Sequence, residues 1–431
     1  MGITEKNGDA LMSELIRKQI CEGVTFDTIE DNRFKAGRMN IRLITPLSRA
    51  TAAENALLAC VLARSCKKYP DFTSLSRRLN ELYGARLFPS IIKIGDQQVI
   101  AFVASGIEDR YALKGESVSS ELAELLCSVI FEPKLIDGHF DDEDVEQERR
   151  QMLELIDSEF NDKRGYALKR CIELMCRDEL YSVSRYGSRE EMLAVTQDDL
   201  IAAWKRLLSS AAVSAMRLGS GSSQGVYDTI ESRFGGKPRK LKRTADIISD
   251  VAEVKRAAET DEISQSKHVM GYRIKYPGTN RECIATVMMS VMLGGAPTSK
   301  LFLNVREKQS LCYYCACMAD TERALMLIDS GVETDKIEKA EKAITEQVEL
   351  MKNGDITDDE IIHAKLVVKN SYISALDSLG ALDSYYTSRL LRESPVSPQQ
   401  AAEIADTITR EEIIELASHI KLDTVFSLVG N

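Results

Sequence analysis

TSKLFLNVREKQSLCYYCACMADTERALMLIDSGVETD, residues 298–335, starts as an amphipathic helix, becomes a strand, turns, and returns as a second strand. An earlier stretch, TSLSRRLNELYGARLFPSIIKIGDQQVIAFVASGIED, residues 73–109, follows the same course. Leu79-Asn80 matches Leu303-Asn304, the polar turn Gly95-Asp96 matches Asp320-Thr321, and Gly106-Ile107-Glu108 matches Gly331-Val332-Glu333. The offset runs from 224 (303 − 79) to 225 (331 − 106). A duplication with so long a period marks two homologous domains, since solenoid repeats are far shorter.

The flanks repeat as well. A β pattern, RMNIRLITPL from Arg38, precedes a helix from about Ala52 to Lys67; KHVMGYRIKYP from Lys267 precedes one from about Arg281 to Leu293. Long helical stretches follow each copy, at about Asp141–Cys176 and Asp358–Arg392. Thr196-Gln-Asp-Asp199 and Thr409-Arg-Glu-Glu412 then read as capping boxes, in which hydroxyl and carboxylate satisfy free amides at a helix start. Each half closes on a strand, VSAMRLG or DTVFSLVG. These patterns predict an α+β fold: two homologous sandwich domains, each a mostly antiparallel sheet with helices on one face. The domains are placed at 1–234 and 267–431, with a polar linker over 235–266.

Composition narrows the function. The chain has 431 residues, is 44% hydrophobic and 29% charged, and carries a net charge of −11, a globular profile that argues against a general nucleic-acid binder. The one basic run, KPRKLKR from Lys237 to Arg243, reads as solvated linker. MGITEKNGDALMSELIRKQ lacks the apolar core of a signal peptide and the hydroxyl residue of a myristoylation signal. IATVMMSVMLGGA, from Ile284, is too short to span a bilayer. A cytoplasmic protein is expected. Of the 10 cysteines, Cys312 and Cys315 form a solitary C-x-x-C followed by Cys317. Strand alternation sets Cys315 and Cys317 on one face and Cys312 on the other, as small core residues.

The order and spacing of these segments resemble the pitrilysin/insulinase metallopeptidases, the inverzincins. SKLFLNVREKQSLCYY, from Ser299, is similar to the segment of that family's second domain in which an Arg and a Tyr hold the peptide; those positions here are Arg306 and Tyr313. RYGSREEMLAVTQDDLIAAWKRLL, from Arg185, resembles the segment after the family's long helix, and SQSKHVMGYRIKYPG, from Ser264, the strand that opens its second domain. The resemblance implies peptide hydrolysis with zinc, bound by two His at i and i+4 and a downstream acid, with a Glu beside the second His as base: H-x-x-E-H.

That motif is absent. The 4 His, at 139, 268, 363 and 419, never fall within one helical turn of each other. The motif's five positions fall on Ala56-Leu57-Leu58-Ala59-Cys60, so Ala56, Ala59 and Cys60 replace both ligands and the base. In DDEDVEQERRQMLELIDSEF, Glu148 and Glu154 match the family's acids and Leu155 stands where a second Glu is often found; the bland reading is a solvated face with pairs such as Glu146–Arg150. In YGARLF, residues 83–88, Gly84 is kept and Leu87 takes the place of an Asn that contacts substrate, although an edge strand can still pair a peptide through its backbone. His268 and His363 read as ordinary core or surface histidines. Gly294-Gly295 reads as a helix C-cap, and no Walker, Rossmann or G-x-S-x-G motif is present.

The resemblance therefore implies a zinc-less homologue that binds peptide through Arg306 and Tyr313 and pairs with a chain carrying H-x-x-E-H, zinc being expected only on that partner. Tyr314 points to the opposite face of a strand from Tyr313, so one of the two faces the cleft. A peptide-binding or scaffold homodimer is the alternative. An active peptidase using Cys60, Glu148 and Glu154 as ligands is the third reading. No nucleic acid and no membrane is expected as partner.

Overall fold

The duplication is visible strand by strand. The computed structural model describes residues 14–240, 247–392 and 394–431; most of the N-terminal segment read for targeting signals, and Leu241–Arg243 of the basic run, lie outside them. The first half runs β1 (Leu15–Cys21), β2 (Val24–Glu30), β3 (Ala36–Pro46), α1 (Ala52–Leu62), α2 (Phe72–Glu81), β4 (Arg86–Ile94), β5 (Gln97–Ile107), α3 (Val118–Phe131), α4 (Asp142–Ser158), α5 (Lys163–Met175), α6 (Arg189–Ala194), α7 (Gln197–Ser210), β6 (Ala212–Gly219) and α8 (Gln224–Phe234). The second runs β7 (Lys255–Asp261), β8 (Ser266–Arg273), α9 (Asn280–Ser290), β9 (Cys312–Asp320), β10 (Leu325–Val332), α10 (Ile337–Lys352), α11 (Asp358–Ser374), α12 (Leu379–Thr387), α13 (Pro398–Thr407), α14 (Arg410–Ser418) and β11 (Lys421–Gly430).

The sheets are ordered β1-β2-β6-β3-β5-β4 and β7-β11-β8-β10-β9. Laid over each other, β2, β6, β3, β5 and β4 match β7, β11, β8, β10 and β9. The β2–β6 and β7–β11 pairs are both parallel and every other pair is antiparallel. Strand β7 lies inside the stretch read as linker. Its sequence, KRAAETD, is half-exposed and pairs only with β11, so it lacks the apolar alternation that marks a strand. Arg239, in the basic run, is buried; it donates to the Leu208 carbonyl at 2.7 Å and lies over the Phe234 ring.

Both capping boxes form, at Thr196 and at Thr409. Each long helical stretch breaks in two, into α4 and α5 and into α11 and α12, with Asp162 and Ser378 capping the second member. The Gly294-Gly295 pair ends a π-helical turn, Val291–Gly295, that prolongs α9. Neither glycine takes a positive φ. Gly294 is needed for close approach, because a Cβ there would lie 2.7 Å from the Cys317 backbone nitrogen.

The two breaks let the halves exchange helices. Each domain's other helices cover one face of its own sheet, around Leu57, Leu58 and Phe102 in the first and Met288, Ile328 and Met326 in the second. The opposite faces are covered from across the molecule, by one helix lent from each half. α5 lays Ala167 and Cys171 against Val269, Phe426 and Leu428 of the second sheet. α12 packs on β3 and β6 of the first. An apolar side chain buried this way contributes about 1.5–3 kcal/mol. Reciprocal ion pairs lock the exchange. Arg42 of β3 and Arg273, the last residue of β8, are both buried. Arg42 donates to Asp383 of α12; Arg273 donates to Glu179, just past α5, at 2.6 Å, and to Asp423 at 2.9 Å.

Candidate functional site

The positions expected for the zinc motif lie where α1 meets α4, beside β4. Helix α1 forms because AAENALLACVL is apolar nearly all round, and it is buried accordingly. Ala56 and Ala59 carry no donor atom and are fully buried. The Cys60 thiol contacts the Met152 sulfur at 3.8 Å, and burial, with Glu148 adding to it, pushes the thiol up to about 12. One turn on, Arg64 turns its guanidinium to α4: Nε lies 2.6 Å from Asp144, Nη1 2.7 Å from Glu148, and Nη2 3.3 Å from Gln147. The same guanidinium sits over the Phe72 ring. A fixed organic cation thus neutralises the acids at a place where the family's pattern sets a metal.

These residues do not fit zinc. The metal requires about three deprotonated donors around an open position. Here the one thiol is held protonated and Glu148 is engaged by Arg64. Glu154 points to solvent beside the exposed Leu155. No group of three metal-ligating side chains is present among the described residues. The expected Glu146–Arg150 pair is replaced by Glu146–Arg149 at 3.0 Å; Arg149 also donates to the carbonyls of Met192 and Val195 and so ties α4 to α6. Arg64 lies one helical turn beyond Cys60, a spacing visible in the sequence that sets its side chain on the same side of the helix.

Strand β4 ends the first sheet, and its register with β5 is unbroken from Arg86↔Ser105 to Ile94↔Gln97. In such a ladder the N–H and C=O of one residue point to the same side, so Pro89, which has no N–H to give β5, faces the open edge. Backbone pairing with a peptide therefore meets a missing donor in mid-strand. On one face of β4, Phe88, Ser90 and Ile92 line a cavity of about 490 Å³ closed by α12 and the β9–β10 turn of the second domain.

The second candidate segment begins with a π-helical turn, Phe302–Glu307. Arg306 is half-exposed there, over the Phe302 ring and 3.7 Å from Glu307. Tyr313 is 59% exposed, so its ring faces solvent, and its hydroxyl reaches Glu333 at 3.4 Å. Its exposure comes from a β-bulge: Gly331 faces Tyr314 and Val332 faces Cys312, leaving Tyr313 as the extra residue. The bulge corrects the cysteine reading. It shifts the alternation, so that Cys312, Cys315 and Cys317 all enter one core cluster. The Cys315 side chain holds the Cys312 thiol below its usual value and Arg306 adds to the effect, which sets Arg306 beside the start of β9. Tyr314 turns the other way, under the Arg164 guanidinium at 4.6 Å. Leu82, the counterpart of Arg306 in the first half, is core. Of the other histidines, His268 is buried and bonded to Ser427, and His363 lies on an exposed face of α11.

Comparison with known proteins agrees with this geometry. The family described as Peptidase M16 inactive domain matches residues 194–367. A Bacillus subtilis (strain 168) protein described as probable inactive metalloprotease YmfF is 27% identical over 409 residues, spanning 95% of this chain and 96% of that one. These matches support a non-catalytic M16 family member. The fold is that of a conserved protein from Enterococcus faecalis V583, with a TM-score of 0.87 and 26% identity over 97% of this chain and 99% of that one. It is also that of a peptidase M16 inactive domain from Pseudomonas fluorescens, with a TM-score of 0.78 and 14% identity over 97% and 98% of the two chains. The M16 fold is thus retained, with Arg64 bonded to Asp144 and Glu148 where α1 meets α4.

Proposed function

We propose that this chain is the zinc-less, substrate-holding subunit of a two-chain peptidase whose other chain carries H-x-x-E-H. The observation that carries the reading is a contrast between its two M16 sites. Arg64 closes the cutting half, whereas Arg306 and Tyr313 stay accessible in the holding half. Guanidinium and phenol donors at that surface suit the carbonyl groups of an extended peptide. The two domains, the second taking in β7 as an edge strand, would form one half of a clam-shell. A cytoplasmic setting accords with 10 cysteines that are all free thiols. No helix among the described residues is long and apolar enough to cross a membrane.

The test is a pull-down with the full chain as bait, followed by peptide hydrolysis assays on the chain, its captured partner and the mixture. The expected result is an H-x-x-E-H chain as partner and chelator-sensitive cleavage that rises on mixing. Arg306→Ala and Tyr313→Phe then lower that cleavage without weakening assembly. Chelator-sensitive hydrolysis by the purified chain alone overturns the reading, and self-association with no such partner favours the scaffold homodimer.

A further inference from the structure

A second cavity, of about 500 Å³, opens on the other side of Lys93. Its walls are the α4–α5 elbow, one face of α5, residues 182–185, and Lys93 itself, which lines both cavities. Leu168 and Ile172 give it an apolar side. Lys169 pairs with Glu159 at 2.7 Å across the wall, Glu173 pairs with Arg170 behind it, and the Asp162 carboxylate accepts from the Gly165 amide at 3.1 Å. Among the described residues, neither Lys93 nor Arg185 has a carboxylate within ion-pair distance.

Lys93 is held in place. Its ammonium donates to the carbonyls of Tyr181 and Val183, at 2.9 and 3.4 Å, and rests 4.1 Å from the Tyr181 ring centre. Those contacts use two of its three protons. Arg185 has its backbone fixed by Gln98, which donates to its carbonyl at 2.6 Å, while its guanidinium lies over the Tyr186 ring. Arg185 acts against the Lys93 charge, and a carboxylate placed at both cations offsets that repulsion.

We propose that this cavity binds a carboxylate with an apolar tail, its charge between Lys93 and Arg185 and its tail on Leu168 and Ile172. The chemistry fits the free C-terminus of a short apolar peptide and equally a small amphipathic organic acid. It stands apart from the Arg306–Tyr313 surface, since neither of those residues lines the cavity. The electrostatics agree. Burial pulls Lys93 down to about 8, Arg185 lowers it further, and Cys176, Asp320 and Glu173 act in the opposite sense. A bound carboxylate needs the charged ammonium, so affinity falls as pH rises through about 8.

Calorimetry on the full chain tests this with three probes: tri-leucine with a free carboxylate, tri-leucine amide, and octanoate. At least one acid is expected to bind, with the amide at least about tenfold weaker than its free acid. Tighter binding of the peptide acid identifies a peptide terminus as the ligand; tighter binding of octanoate identifies an organic acid. Arg185→Ala, at an exposed position, is expected to weaken the better acid at least about tenfold while leaving the melting point unchanged. Lys93→Met is the second variant, scored only if it melts as the parent does. The proposal falls if neither acid binds below a Kd of ~1 mM, if the amide binds as well as the acid, or if Arg185→Ala leaves affinity unaltered.

Discussion

Arg64 stands 2.7 Å from Glu148, with both side chains largely withdrawn from solvent. The guanidinium also holds Asp144, so it is the shared counter-charge of two acids on α4. Arg64→Ala leaves both carboxylates unpaired in a part-buried place and is expected to cost about 1–3 kcal/mol. Urea denaturation reads this as a lower midpoint at unchanged slope. The Arg64→Ala/Glu148→Gln pair should recover part of the loss; equal stability of Arg64→Ala and the parent would show that the ion pairs contribute nothing.

Asp383 accepts from Arg42, from Asn40 at 2.7 Å and from Arg38 at 2.7 Å, and so ties α12 to the first sheet. Asp383→Ala removes the hydrogen-bonded counter-charge of Arg42 in the interior and leaves only the more distant Asp27, a change that costs about 3–5 kcal/mol. Limited proteolysis should then cut first around α12. The double substitution Arg42→Met/Asp383→Leu removes both charges together and should be the milder variant. If the single change melts as high as the parent, the clamp does not hold the halves together.

His268 gives a pH dependence with a defined sign. Its Nδ1 is 2.9 Å from the Ser427 hydroxyl, and burial lowers it from its ordinary 6.5 to about 4, with Glu341 pulling it up and Arg256 down. The folded chain therefore binds fewer protons than the unfolded chain between those values. The stability that comes from keeping this ring neutral is complete above pH 6.5 and drains away as pH falls towards 4. His268→Gln should flatten that part of the profile, as seen in urea midpoints at pH 7 and pH 4.5. Identical losses in variant and parent would refute this.

Pro89 makes a prediction about association. Replacing it by Thr restores an N–H on the open edge of β4 and adds β propensity. Pro89→Thr is expected to bind extended peptides more tightly, or to self-associate more, by sedimentation and by titration. Unchanged behaviour in both measurements would mean that the edge is closed to strand addition for another reason.

Much of this molecule is legible in its residues. The repeat of helix, strand, turn and strand predicts both sheets, and Thr196 and Thr409 mark helix starts because a cap acts within three residues. Strand β7 escapes because KRAAETD has an exposed face on both sides. The triple burial of Cys312, Cys315 and Cys317 escapes because one bulge resets a two-residue period. Arg306 and Tyr313 come from the family pattern, and local chemistry alone would not separate them from any surface Arg and Tyr.

The sequence by itself determined the duplication, the order of elements and the loss of H-x-x-E-H, because each depends on residues within a few positions of one another. Only the tertiary structure decided that the domains exchange α5 and α12, and that Arg64 pairs with Asp144 and Glu148. Arg42 and Asp383 lie 341 residues apart, and Arg64 and Glu148 lie 84 apart. Pairings at such separation leave no periodic trace along the chain; they arise when burial withdraws a charge from water and the folded neighbourhood supplies its partner.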